Sequence, residues 1–331
     1  MERIGKMESL DLNCTIVGAT GSATRGGTPF IASTSDDPFS TRTRVVAVEP
    51  EDGYRFVATQ IVTLPGYEPV EFHHMHTRGV NEKGFAYVWS GAPPNTQYEP
   101  DYRGSYGIPF EQFGRMLLSR SGSVAEGIEL LESIPRAFHG NFLFADAGGE
   151  VALTEVSTQS MHVETRTRDG WLARSNHWVS EEMAYKGRSS GEQSSSQVRL
   201  RRATELMGNG EGRIDVSYLS DLYRDHETLA ETGWSICAHG HTKSSDGERS
   251  GTVSSEILEP ASRTLSYCYG WPCGEPVSYP GEQDYQEYSW GQYLPFSLDE
   301  LEPGEYVTAE GRLTPLAVRY LAKNGKNGDS V

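Results

Sequence analysis

Cys14 is the residue whose type and position suggest chemistry most directly, because it opens an apolar, strand-like segment just after the short charged stretch 1–13. A cysteine at the start of a strand is usually a small buried hydrophobic residue. If the bond between Asn13 and Cys14 were cut, however, Cys14 would carry both a thiol and a free α-amine. That amine, with an ordinary pKa of about 7.7–8.0, is partly neutral near physiological pH and accepts the thiol proton. The resulting thiolate attacks amide carbonyls, so one residue would supply nucleophile and base.

Histidines and cysteines come close together in sequence at two places: Cys237, His239 and His241 at one, and His73, His74 and His76 at the other. Neither spacing matches the usual zinc patterns. Four cysteines in 331 residues are also too few for a disulfide scaffold. The glycine-rich segment 18–27 lacks the lysine of a phosphate-binding loop. The sequence therefore predicts no metal site and no cofactor.

The segments that must position these residues show strand patterns at both ends of the chain and helix patterns between them. Strands are predicted at 14–17, 29–33, 44–48, 56–61, 84–89, 141–145, 150–156, 161–165, 170–174, 234–238 and 252–259. Apolar residues three and four apart predict helices at 109–118, 123–134, 197–207 and 216–223. Ser123 followed by Glu126 is typical of a capping box. Strand blocks before and after a pair of helices predict an α+β fold of sheets covered by helices.

The acidic charge balance of the chain argues against one class of binding partner, nucleic acid. With 29 Lys+Arg and 46 Asp+Glu, the net charge is −17, which argues against nucleic acid because phosphate backbones require clustered basic residues. No apolar run approaches the ~20 residues of a membrane span. Residues 1–13 also lack the apolar core of a signal peptide. We therefore predict a cytoplasmic protein that binds neither nucleic acid nor membrane.

A set of short motifs gives the chain a specific resemblance. In order they are NCT at 13–15, STSDDP at 33–38, GVNEKGFA at 79–86, NFLFADAGGEVALTEV at 141–156 and RSNHW at 174–178. The strings SICAH at 235–239 and TVSSEILEPASRTLSYCYGWPC at 252–273 belong to the same pattern. The chain resembles the cysteine N-terminal-nucleophile (Ntn) hydrolases, in particular the acyl-coenzyme A:6-aminopenicillanic acid acyltransferase peptidase family. Choloylglycine hydrolases and penicillin V acylases are more distant relatives.

This resemblance implies an α+β fold, the four-layer αββα sandwich. It also implies that residues 1–13 are a leader removed by self-cleavage, with Asn13 and Cys14 flanking the cut. Residues 14–331 would then form a single domain that ends in a short flexible tail.

The resemblance assigns roles residue by residue. Cys14 matches the nucleophile, and Asp36 matches the aspartate that orients the cysteine amine, in preference to its neighbour Asp37. In many relatives this aspartate ends an RNxD pattern, but here Ser33 stands where that arginine is expected. Contacts that the arginine makes in relatives would therefore have to come from elsewhere.

Asn176, in RSNHW, matches the asparagine that donates to the developing oxyanion. Such a donor contributes about 3 kcal/mol to an acyl-transfer transition state. Arg199 aligns with an arginine near the nucleophile of the bile-salt hydrolase relatives. Ser90 and Gly91 are the nearest candidates for a backbone donor that relatives place after the GMNEKGL stretch.

These assignments predict a hydrolase or acyltransferase that acts on linear amide C–N bonds through a cysteine thioester. The expected partner is a small amide or small peptide, and a homo-oligomer is left open. A second reading is a cysteine dipeptidase of the related Ntn family, although Arg25-Gly26-Gly27 replaces the aspartate-glycine expected in that motif. A third is a catalytically silent binding protein on the same scaffold.

Overall fold

The computed structural model describes residues 14–63, 75–99, 107–167, 169–188, 191–240, 242–243, 249–276 and 290–324. Its strands are β1 (Ile16–Gly21), β2 (Gly27–Pro38), β3 (Arg42–Val48), β4 (Phe56–Thr63), β5 (His76–Asn81), β6 (Ala86–Ser90), β7 (Ile108–Pro109), β8 (Arg136–Ala137), β9 (Gly140–Ala145), β10 (Glu150–Val156), β11 (Met161–Thr167), β12 (Asp169–Arg174), β13 (Thr242–Lys243), β14 (Arg249–Glu259), β15 (Thr264–Tyr269), β16 (Tyr293–Ser297) and β17 (Gly304–Val307). Its α-helices are α1 (Phe110–Arg120), α2 (Val124–Ser133), α3 (Ser195–Asn209), α4 (Val216–Tyr223), α5 (Leu229–Thr232) and α6 (Pro315–Lys323). Two short 3₁₀ turns cover Ala184–Lys186 and Leu298–Glu300.

Two large antiparallel sheets form the centre of the molecule. Sheet I has the strand order β12-β1-β2-β14-β15-β16, with β13 paired to β14. Sheet II has the order β11-β10-β9-β6-β5-β4-β3-β17. In sheet I, β1 lies between β12 and β2, and Ile16 is opposite Arg174 on one side and Ser33 on the other. This register brings the start of β1 beside the polar second half of β2.

The two sheets pack face to face because side chains alternate between their two sides. Ile16 joins the core between the sheets, whereas Val17 joins the apolar cluster on the outer side of sheet I. In sheet II, Val88 faces the central core and Tyr87 faces the opposite side. Each sheet therefore has two apolar faces, and both must be covered.

Helices cover the outer faces. Phe113 and Leu117 of α1 and Leu131 of α2 are buried against sheet II. Ala203 of α3 and Leu222 of α4 are buried against sheet I. The result is the four-layer αββα arrangement, and the predicted fold class is confirmed. Every helix among the described residues is too short or too polar to span a lipid bilayer.

One predicted strand, 234–238, is wrong, because this segment is irregular in the structure. Its backbone N–H groups donate to a loop carbonyl and to a side chain, and not to a neighbouring strand. The Cys237 N–H donates to the Asp225 carbonyl, and the Ala238 N–H donates to the Thr252 hydroxyl. The Ser235 hydroxyl turns back to the Cys237 carbonyl. The segment is a connection held by side chains, not part of a sheet ladder.

Candidate active site

Cys14 lies just before β1 and is 1% exposed. The next residue is fixed by two contacts with β2. The Thr15 N–H donates to the Thr34 hydroxyl, and the Thr34 N–H donates to the Thr15 carbonyl oxygen; each donor–acceptor distance is 3.0 Å. Cys14 is therefore held just before the start of β1, beside the segment of β2 that carries Asp36.

Arg199, from the buried face of α3, connects the predicted site residues. Its Nη1 donates to the Cys14 carbonyl oxygen at 2.6 Å and to the Thr15 hydroxyl at 2.9 Å. Its Nη2 donates to Asn176 Oδ1 at 2.7 Å. The carboxylate of Asp36 lies 3.9 Å from Nη1. One guanidinium thus contacts Cys14 and both other predicted side chains.

The side-chain amide of Asn176 has a defined orientation. Because an arginine only donates, the amide oxygen must face Arg199, and the amide nitrogen points the other way. There Nδ2 donates to the Gly91 carbonyl oxygen at 2.9 Å. The backbone is anchored as well, since the Asn176 N–H donates to the hydroxyl of Ser196 in the first turn of α3. Both ends of the side-chain amide and the backbone N–H of Asn176 are therefore held in place.

Ser90 and Gly91, the predicted source of a backbone donor, lie next to this loop. The Ser90 hydroxyl donates to the Ser175 carbonyl at 2.6 Å and also accepts from Asn141. Gly91 contributes its carbonyl oxygen, as an acceptor for Asn176. These contacts place the two residues as supports of the asparagine loop. The remaining predicted residue, Asn13, lies outside the described part of the chain.

Asp36 and Asp37 are both buried but have different partners. Asp36 Oδ1 accepts from the Thr252 hydroxyl at 2.7 Å, whereas its Oδ2 has no hydrogen-bond partner among the described residues. Burial raises the pKa of Asp36 to about 7, against the opposing effect of Arg199. Asp37 accepts a hydrogen bond from Ser35, and burial raises its pKa as well. Asp36 is the carboxyl that combines a near-neutral pKa with an unsatisfied oxygen.

The thiol of Cys14 is protonated at neutral pH. Burial raises its pKa to about 12, and the carboxylates of Asp37 and Asp36 contribute in the same direction. The guanidinium of Arg78 is the largest opposing influence on this pKa. Attack by this sulfur therefore needs a group that takes its proton.

Arg78 is a site residue that the sequence analysis missed. It comes from β5 of sheet II, is 1% exposed, and reaches across the sandwich to bring Nη2 to 3.6 Å from Cys14 Sγ. Its Nε donates to the Ser33 hydroxyl at 2.8 Å and lies 3.2 Å from Glu256. A guanidinium from another strand thus contacts Ser33, the position where the resemblance expects an arginine. The available signal was a lone arginine between Thr77 and Gly79 in an otherwise uncharged stretch.

A small cleft, partly open to solvent, leads to this cluster. Asp36, Ser195 and Arg199 lie at one side of it, and the connecting segment around Ala238 and His239 forms another. Cys14 is not among its lining residues, in agreement with its burial.

Comparison with known proteins identifies the family. The sequence pattern described as acyl-coenzyme A:6-aminopenicillanic acid acyl-transferase matches residues 24–273, about three quarters of the chain. The chain belongs to this acyltransferase family. Cys14 precedes the matched range, whereas Asp36, Arg78, Asn176 and Arg199 lie within it. The search of curated protein sequences gives no significant match.

Several solved structures resemble this chain in fold to different degrees. One variant of conjugated bile acid hydrolase from Clostridium perfringens has a TM-score of 0.57 at 14% identity, covering 91% of this chain and 99% of its own. A second variant of that enzyme has a TM-score of 0.53 at 13% identity, covering 89% and 97%. Penicillin V acylase from Agrobacterium tumefaciens reaches 0.46 at 14% identity, covering 77% and 83%. At these identities the bile acid hydrolases establish the fold, and the family match supports an acyltransferase or amidohydrolase of the Ntn type.

In this acyltransferase family member, four predicted residues, Cys14, Asp36, Asn176 and Arg199, form one connected buried cluster. The structure adds Arg78 to them. Gly91 contacts this cluster through Asn176, and Ser90 contacts Ser175, the residue before Asn176.

Proposed function

We propose that the chain cleaves itself between Asn13 and Cys14 and then acts as a cysteine Ntn amidohydrolase or acyltransferase on linear amide C–N bonds. The mature enzyme would be the single domain 14–331. The observation that carries this proposal is the convergence of Arg78, Arg199, Asp36 and Asn176 around one buried cysteine. These residues come from β5, α3, β2 and the loop after β12, which are far apart in the sequence, and they are joined through Arg78 at the Cys14 sulfur and Arg199 at the Cys14 carbonyl.

Self-cleavage would begin with transfer of the Cys14 thiol proton to a base. The sulfur then attacks the Asn13 carbonyl carbon, and the Asn13–Cys14 C–N bond breaks as the Cys14 nitrogen takes up a proton. Water hydrolyses the resulting thioester, which releases residues 1–13 as a carboxylic acid and restores the thiol. Asp36 is the best candidate for the base, because a pKa of about 7 leaves much of it ionised at neutral pH.

Cleavage would create the base that the mature enzyme needs. The new α-amine of Cys14 accepts the thiol proton, and the unsatisfied Oδ2 of Asp36 offers an acceptor for the ammonium so formed. The positive charge of that ammonium would also hold the sulfur as thiolate, together with Arg78. The same step would thus produce nucleophile and base.

In the amidase step, the thiolate attacks the substrate carbonyl carbon and the oxyanion accepts a hydrogen bond from the Asn176 amide. Arg199 supports this donor because its contact with Oδ1 fixes which side of the amide carries nitrogen. The substrate C–N bond then breaks as the leaving amine takes the proton from the α-ammonium. An acyl thioester on Cys14 remains, and water or an acceptor amine resolves it.

The names of the family and of the structural relatives indicate the class of substrate. The family is named for transfer to 6-aminopenicillanic acid, and the structural relatives are conjugated bile acid hydrolases. Both names describe an acyl group joined to a small amine. We therefore propose a small N-acyl amine or small peptide as substrate.

The test is to trap the acyl group on Cys14. The protein would be mixed with N-acyl derivatives of 6-aminopenicillanic acid, with conjugated bile acids or with dipeptides. The reaction would be quenched in acid during turnover, and the masses of the proteolytic peptides would be measured by mass spectrometry. We expect the acyl mass on the peptide that begins with Cys14, and loss of both adduct and turnover in Cys14→Ala. Cys268→Ala, which alters another fully buried cysteine, is the matched control and should retain both. Turnover that survives in Cys14→Ala would overturn the proposal.

A further inference from the structure

Two histidines and two cysteines outside the proposed catalytic cluster meet at one point. His226 follows α4, Cys237 and His239 belong to the connection after α5, and Cys273 follows β15. One ligand atom from each lies within 4.8 Å of the other three. Cys237 and His239 are buried, and the other two are partly buried.

The distances match a tetrahedral metal site. His226 Nε2 and His239 Nε2 are 2.9 Å apart. His239 Nε2 lies 3.5 Å from Cys237 Sγ and 3.2 Å from Cys273 Sγ. A zinc ion with bonds of about 2.3 Å to sulfur and about 2.0–2.1 Å to nitrogen holds its ligands roughly 3.3–3.8 Å apart. These three separations agree with that range to about half an ångström, and the other three are no longer than 4.8 Å.

Hydrogen bonding alone explains this arrangement poorly. Two imidazole Nε2 atoms that face each other share one proton at most, and a thiol is a weak donor and a weak acceptor. A cation at the centre would instead use a lone pair from each of the four groups. Two nitrogen and two sulfur donors in tetrahedral arrangement are the ligand set that zinc prefers.

The surroundings hold the ligands in the required orientation. The His239 ring stacks on Trp271, with ring centroids 3.9 Å apart and planes at 6°. Its Nδ1 lies 3.7 Å from a Glu275 carboxylate oxygen, so the nitrogen opposite the cluster faces an acidic group. Cys273 Sγ accepts the backbone N–H of Glu275 at 3.4 Å. Such contacts to the second nitrogen and to sulfur are typical of the outer shell of a metal site.

We propose that His226, Cys237, His239 and Cys273 bind one zinc ion in a closed, structural site. With four protein ligands, no coordination position remains for substrate, so the ion would act on structure and not on the amide. This proposal departs from the sequence-based expectation of no metal. It does not depend on the proposed amidase activity.

The site would stabilise one wall of the cleft. His239 itself and its neighbours Ala238 and Gly240 line that cleft, which Asp36 also borders. The ion would join this connection to the ends of α4 and β15. Its loss should therefore lower the melting temperature.

The experiment measures metal content of untagged protein, purified from zinc-supplemented medium without chelator. We expect about one zinc ion per chain. Replacement by Co²⁺ should give the visible absorption of tetrahedral cobalt and a thiolate-to-cobalt charge-transfer band, which surface histidines do not produce. Chelation should lower the melting temperature.

Variants at His226 make the test specific, because this residue is only partly buried and lies outside the helices and strands. His226→Ala should lose most of the zinc, and His226→Cys, which restores a ligand, should retain it. His162→Ala, at a partly exposed histidine paired with Glu182, is the matched control and should retain zinc. If His226→Ala does not fold, the zinc content and cobalt spectrum of the unmodified protein decide.

Three results would overturn the proposal. They are unmodified protein that holds no zinc and takes up no cobalt after reduction, full zinc binding by His226→Ala, and a Cys237–Cys273 disulfide in protein freshly purified from zinc-supplemented medium.

Discussion

Replacing Arg78 by methionine removes a positive charge that lies 3.6 Å from the Cys14 sulfur. At that distance, with an effective dielectric constant of about 20, the charge stabilises a thiolate by roughly 4 kcal/mol, or about three pKa units. The variant should therefore hold about 10³-fold less thiolate at a given pH. A more basic thiolate is a better nucleophile, which recovers part of this loss, so the reaction rate should fall by roughly 30- to 100-fold.

The same substitution has a cost in stability that must be separated from its effect on the thiol. Arg78 is paired with Glu256, and both side chains are almost fully buried. Leaving that carboxylate without its partner should cost about 3–5 kcal/mol of unfolding free energy. The double variant Arg78→Met/Glu256→Gln removes the buried charge and should recover much of this stability.

The assay is alkylation of Cys14 by iodoacetamide across pH, quantified from the mass of the peptide that contains it. Glu256→Gln is the matched control, because it removes the ion pair but keeps Arg78 beside the sulfur. We expect Glu256→Gln to react within about 10-fold of the unmodified protein, and the double variant to remain slow. If the double variant regained both stability and reactivity, Arg78 would be only a structural partner of Glu256.

Three further substitutions test the rest of the cluster. Asn176→Ala should lower kcat by about 10²–10³-fold with a smaller change in KM, because an oxyanion donor acts on charge that develops in the transition state; rates must be normalised to the processed fraction, and an unchanged kcat in fully processed enzyme would contradict the assignment. The folded-state pKa of Asp36 is raised from 3.8 to about 7, so its protonated carboxyl stabilises the fold at low pH and this contribution is lost as pH rises through about 7. In urea unfolding, the free energy of unfolding of Cys14→Ala/Asp36→Asn should therefore rise relative to that of Cys14→Ala as the pH increases from 3.8 to about 7. A difference that does not change with pH would refute the pKa shift. Arg199→Met should move the upper end of the same window above 7, because the opposing guanidinium is gone; an unmoved window would mean that Arg199 does not act on Asp36.

The elements best predicted from sequence are those whose apolar pattern follows from simple packing. Helix α4 at Val216–Tyr223 and strand β10 at Glu150–Val156 have their predicted bounds. Strand β2 is longer than predicted, Gly27–Pro38 instead of 29–33. Its second half is polar because it carries Ser33 to Asp37 into the buried site, and the hydrophobic pattern stops there. Strand β5, which carries Arg78, was missed for the same reason.

The site was predictable where a motif carried it. Cys14, Asp36, Asn176 and Arg199 came from the resemblance, and they do form one cluster. Nothing local links Arg78 to Cys14, 64 residues away, because their contact depends on how sheet II packs on sheet I.

Of the four ligands of the proposed zinc site, the sequence analysis grouped Cys237 and His239 but did not connect them with His226 and Cys273. The four residues span 48 positions, and their spacing follows no usual zinc pattern. Only the positions of α4 and β15 bring them together.

The measurement that tests the central claim most directly is the intact mass of the protein during incubation at neutral pH. The account predicts loss of residues 1–13, a chain that begins at Cys14, and an acid-terminated peptide ending at Asn13. Cys14→Ala should keep its full mass under the same conditions. A chain that hydrolyses or transfers amides while retaining residues 1–13 would contradict the N-terminal cysteine mechanism.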